Sequence, residues 1–117
     1  IPGGTKKEGV RLLERAIREG EYTSVEARFY LAKNLRNYDQ KYEQGIVLME
    51  PLVREFPDNP VFQLILGDLH AKLGHKDKAE QYFRAAREHP GKDSVCRARV
   101  EQVARAALAA LGTHALN

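Results

Sequence analysis

The 117-residue sequence predicts an all-α fold built from antiparallel helix hairpins. Two observations carry the prediction. Apolar residues recur at helical spacing in every sizeable segment, while no alternating run bounded by turn residues reads as a strand. Small and large residues also recur in matched order at intervals of 36 and 34 residues, which marks copied hairpins and not unrelated helices.

The elements follow in order. From Thr5 to Glu19, Val10, Leu13, Ala16 and Ile17 form one apolar face opposite Arg11, Arg15 and Arg18, and Gly20 stops the helix. A second helix is expected from Ser24 to Asn37, with Ala27, Leu31, Ala32 and Leu35 inward, and a third from Tyr42 to Glu55, with Ile46, Met49, Leu52 and Val53 inward and a mild bend at Pro51. The stretch FPDNP then breaks the chain and restarts it: Pro57 ends one helix, Asn59 caps the next, and Pro60 suits a first turn. The fourth helix reaches Leu73 and is closed by Gly74. A fifth runs from Asp77 to His89, and HPG separates it from a last helix over Asp93 to Leu111.

Composition bounds what these helices can do. A chain of this length suits one domain. Its 19 Lys and Arg against 16 Asp and Glu leave a net charge of only +3, with the signs interspersed, so electrostatics alone names no partner. The single cysteine, Cys96, excludes an internal disulfide framework, and no apolar run approaches the roughly 20 residues needed to cross a bilayer. The expectation is a soluble domain; the compartment is left open, the cytoplasm being preferred to the periplasm. The start IPGGTKK, without an initiator methionine, suggests an excised or processed piece.

Reactive chemistry finds little support. LGDLHAKLGHKDKAEQYF, from Leu66 to Phe83, holds His70 and His75 with Asp68 and Asp77, but not the H-E-x-x-H spacing that sets two imidazoles one turn apart. His70 reads as a partly buried helix residue and His75 as a turn residue. His89 and Cys96 straddle a turn without a third partner, and GGTKK lacks the spacing of a phosphate loop. No cofactor, metal or catalytic residue is expected.

The repeat is more telling. Gly9, Gly45 and Ala79 each begin a helix with a small residue; Leu13, Met49 and Phe83 follow four residues later, and Ala16, Leu52 and Ala86 three beyond those. Leu31 with Ala32 and Leu66 with Gly67 pair a large residue with a small one on the preceding helix, and Pro57 and Pro90 close units 33 residues apart. In these residues the chain resembles the tetratricopeptide repeat family over Thr5 to Gly91. It departs from that family's pattern at Gln63, where tryptophan is usual, at His70, where tyrosine is preferred, at Gly45, where alanine is usual, in a turn around Tyr38 to Tyr42 that is longer than the pattern by one residue, and in a Pro90 that comes one residue early.

The resemblance implies a right-handed superhelix of hairpins within one domain over residues 1–117. Residues 5–20 would be the second helix of a truncated unit, 23–57 and 58–91 two full units, and 92–112 a capping helix or the first helix of a further unit. The leading half unit suggests a fragment of a longer array. The resemblance further implies a non-catalytic scaffold that receives a peptide or protein segment in a concave groove. By its register Glu26, Phe29, Lys33 and Arg36 on the second helix, and Val61, Leu64, Asp68 and Lys72 on the fourth, face that groove. Phe29 and Leu64 would offer apolar pockets, or else pack between units, and Lys33 and Arg36 would receive acidic groups. The Lys and Asn set of chaperone-binding members is not reproduced.

On the last helix, Cys96, Val100, Val103, Ala107 and Leu111 form an apolar stripe, and Arg97, Glu101 and Arg105 a polar face over the first half only. Val103, Ala107 and Leu111 are therefore expected at an interface, under a further unit or against a second copy of the chain. Two other readings compete with the scaffold. One is nucleic-acid binding through Arg97, Arg99, Arg105 and the arginines of the first helix, disfavoured by poor aromatic interleaving; the other is a spacer between domains.

Overall fold

Helix boundaries follow local chemistry. The computed structural model describes the backbone of residues 24–92 and 94–115 and the side chains of 25–92 and 94–112. It contains helices α1 (Ser24–Asn34), α2 (Tyr42–Glu55), α3 (Pro60–Lys72), α4 (Lys76–Glu88) and α5 (Ser94–Ala115), and no strand among the described residues. The helix expected over Thr5 to Glu19, with Gly9, Leu13 and Ala16, and the Asp93 start of the last helix lie outside the described residues.

The start of α3 is capped as its sequence requires. Asn59 Oδ1 accepts from the backbone N–H of Val61 at 3.0 Å and of Phe62 at 3.2 Å, and Pro60 stands where a missing N–H costs nothing. Gln63, in the place the repeat pattern gives to tryptophan, is buried and donates Nε2 to the Pro57 carbonyl at 2.9 Å, tying α3 to the connection before it. Pro51 sits inside α2 without ending it. The carbonyl it leaves without a partner belongs to Val47, whose side chain is 72% exposed, so water is at hand.

The end of α1 departs from expectation. The α-helix stops at Asn34 and continues as a π-helix over Leu35–Asp39, followed by Gln40 at φ 53°. The N–H groups of Gln40 and Lys41 both point to the buried Leu35 carbonyl. A π-turn holds one residue more than an α-turn. The extra residue seen in the sequence is thus absorbed inside the helix, and the connection stays short.

Short connections between touching helices force neighbours to run antiparallel. Each helix packs on the next in sequence, and α3 also touches α5. One apolar cluster joins Ala32 of α1, Ile46, Met49, Leu52 and Val53 of α2, and Phe62, Ile65, Leu66 and Leu69 of α3. A second joins Ala79 and Phe83 of α4 to Leu111 of α5, with Leu64 and Ala71 of α3 against it. The two meet at Gly67, where a Cβ would lie 2.6 Å from Phe83 Cε1 and 3.3 Å from the Ala79 carbonyl. Phe83 therefore both lies on the α3 backbone and faces the next unit. Gly45 takes the place of Ala79 one unit earlier: its Cβ would lie 3.0 Å from Leu69 Cδ2, with the carbonyl of Ala32, the counterpart of Gly67, beyond.

The apolar stripe of α5 is turned from its expected phase. Val100, Ala104 and Leu111 are buried and Ala107 and Leu108 half-buried, whereas Cys96 and Val103 are exposed. In this phase the larger Leu108 packs against the cluster that holds Leu111, and Ala104 is fully buried. Leu111, expected at an interface, packs instead within the chain's own core.

Gly67→Ala is expected to destabilise by about 2 kcal/mol, because overpacking against a walled aromatic ring outweighs the roughly 1 kcal/mol that alanine gains over glycine in a helix. Urea denaturation should also show Gly67→Ala with Phe83→Leu losing less than the two single variants together. Gln40→Gly, relieving a left-handed residue, should raise stability by about 0.5–1 kcal/mol in the same assay.

Candidate functional site

A helix buries one stripe and leaves the rest of its surface to line whatever space the packing encloses. With α3 touching α5, and the π-helical segment beside α3, that space is a groove of about 780 Å³. The π segment contributes Arg36 and Asn37, α3 contributes Val61, Leu64, Asp68 and Lys72, and α5 contributes Val103 and Ala107. Gln40, Tyr42, Ile65 and Phe83 complete the lining. A second hollow of about 560 Å³ shares Asp68, Lys72, Phe83 and Ala107 and extends the groove past Gly74 and Lys76 to Ala110 and Leu111.

The floor is apolar because its residues belong to the core. Leu64 and Ala107 lean on the cluster of Ala79, Phe83 and Leu111. The rim is charged. Asp68 stands between two cations, with Oδ2 at 3.7 Å from Arg36 and Oδ1 at 3.7 Å from Lys72. Arg36 Nε also donates to Asn37 Oδ1 at 2.9 Å, which steadies the guanidinium over the groove. Two positive groups face one carboxylate, all partly exposed, so the rim keeps a net positive charge and its ion pairs are loose.

The structure brings together Arg36, Val61, Leu64, Asp68 and Lys72 of the residues expected in the groove, and adds Val103 and Ala107, which sequence reasoning had assigned to a separate interface. Three expected residues do not line it. Phe29 is half-buried against Phe62, with ring centroids 5.2 Å apart, and Lys33 lies over the Phe29 ring at 5.1 Å, so this aromatic packs between units. Glu26 is exposed on α1 and lines neither hollow. Asn37, Gln40, Tyr42, Ile65 and Phe83 were missed. One signal was available for α5: it starts about one repeat length after α3, the place of the first helix of a third unit.

Among the described residues no three of His, Cys, Asp and Glu gather as a metal site, and no helix is long and apolar enough to cross a membrane. Against known proteins, a family model described as a tetratricopeptide repeat matches residues 38–100. Neither the comparison with curated proteins nor that with solved structures gave a match.

Asp68→Asn keeps the shape of the side chain and removes the charge between Arg36 and Lys72. Because the pairs are long and partly exposed, the unfolding free energy should change by less than about 1 kcal/mol. A loss several times larger in denaturant titration would mean that Asp68 serves folding and not the groove.

Proposed function

Because the chain belongs to the tetratricopeptide repeat family, whose repeats generally serve as non-catalytic protein-interaction modules, we propose that it binds a peptide or protein segment along the groove between the π segment, α3 and α5. The observation that carries this reading is that one groove is lined by the π segment, α3 and α5 together, with an apolar floor and a charged rim.

Each part has a role in binding. The floor at Leu64, Phe83 and Ala107 takes apolar side chains of the partner, where burial supplies affinity. Arg36 and Lys72 attract acidic groups next to those side chains, and Asp68 rejects a carboxylate placed directly over it. The partner is therefore a segment with apolar residues flanked by acidic ones. A rigid helical frame limits the entropy lost on binding, which lets a groove of modest size work.

Peptides selected from a displayed random library against the whole chain test this. They should combine apolar and acidic residues, and should bind at least about tenfold more weakly to Arg36→Ala and to Val103→Glu, while Val47→Glu on the exposed face of α2 binds as the parent does. Selected peptides that tolerate both groove variants would overturn the reading. So would steeply salt-dependent binding of single-stranded nucleic acid in their place.

A further inference from the structure

The turn from α3 to α4 carries a pair of histidines that the groove does not use. Its backbone closes in a Schellman arrangement. Gly74, at φ 78°, donates to the Ala71 carbonyl at 3.0 Å, and His75 donates its N–H to the His70 carbonyl at 2.8 Å. The side chains that flank such a closure usually meet through apolar contact. Here they meet through nitrogen: His70 Nδ1 and His75 Nδ1 are 3.0 Å apart. The ring centroids are 5.2 Å apart, so the two nitrogens point nearly at one another. A single proton between them satisfies that geometry, whereas a shared metal ion would need both lone pairs turned to a third point.

We propose that His70 and His75 form an acid-released latch across the α3–α4 turn. Neutral, the pair has one Nδ1–H donating to one bare Nδ1. His70 is 2% exposed, so charge is disfavoured on its ring; while it stays neutral its bare Nδ1 can accept from the exposed His75 and the bond is kept. A second ring proton can be taken by His70 only at Nδ1, because a neutral ring with a bare Nδ1 already carries hydrogen on Nε2. There it sets two N–H groups face to face, and the charged ring keeps a buried Nε2–H with no hydrogen-bond partner in the structure. The latch then opens, and with it the closure of the turn.

The surroundings of His70 oppose that second proton. Its ring stacks on Tyr82 of α4, with centroids 5.6 Å apart and planes 14° apart, and burial is the main cause holding His70 below the ordinary 6.5. His75 and then Lys78 of α4 act in the same direction. Glu50 of α2 opposes them, but it is also paired with Arg54 at 3.7 Å. The sign follows. The unfolded chain takes up the proton first, so the contribution of His70 to stability is complete above about pH 6.5 and is lost as pH falls through the lower folded-state value.

Proton-coupled NMR of the imidazole nitrogens, with amide exchange followed across the same pH series, tests the latch. His70 should titrate below the ordinary 6.5. Between about pH 6.5 and the His70 midpoint, exchange at Gly74 and His75, corrected for its intrinsic pH dependence, should quicken by up to about tenfold for each pH unit as pH falls, and should level off below the midpoint. His70→Phe keeps a ring on Tyr82 and should abolish that dependence. His75→Gln, a change at an exposed side chain, should raise the His70 midpoint and serves if the first variant fails to fold. Turn amides that exchange at a steady corrected rate from about pH 6.5 down to the His70 midpoint, or a His70 midpoint that His75→Gln leaves in place, would overturn the proposal.

Discussion

The fold turns on the close approach of α3 and α4 at Gly67. With no Cβ there, the Phe83 ring lies directly on the α3 backbone, and the Ala79 carbonyl comes within van der Waals range of the same point. Any larger side chain would push the helices apart. The ring also forms the wall against which Leu111 packs, so the position of α5, and with it the third side of the groove, derives from one small residue two helices away. Gly45, in the place of Ala79 one unit earlier, allows a similar close approach to Leu69 of α3. A solenoid transmits such constraints only between neighbours, so each must be met locally.

The groove inherits its character from that packing. Its floor is the outer edge of the second apolar cluster, and its rim consists of charges that the core has no room for. The ion pairs of Asp68 with Arg36 and Lys72 are long and partly exposed, of a kind worth little to folding, which leaves those side chains available for a partner. The π-helical segment matters for the same reason. By taking up an extra residue inside the helix, it buries Leu35 and sets Arg36 beside α3.

Helix α3 carries polar groups where a repeat of this kind has large aromatic ones. Gln63 recovers one hydrogen bond through Pro57 and leaves Oε1 without a partner; His70 recovers one through His75 and leaves Nε2 without one. Each orphaned atom costs on the order of 1–3 kcal/mol. At His70 the cost comes with a titratable group at the most constrained point of the turn.

Much of this was legible in the sequence because it is local. The Asn59 cap, the Pro60 start, the Gly74 stop and the recurrence of Gly45 and Ala79 depend on residues within a turn or on a fixed interval, and the helices begin and end close to where those signals stand. The extra residue near Tyr38 was visible too, but not that it would be wound into the helix. What tertiary structure decided is the phase of each surface. An alanine-rich helix such as α5 is apolar nearly all round, so its sequence does not say which stripe goes inward; the depth of Leu108 and Leu111 against α4 chose Val100 and Ala104 over Cys96 and Val103. Phe29 likewise found Phe62, and His70 found His75, because those contacts depend on distances between elements that no spacing along the chain encodes.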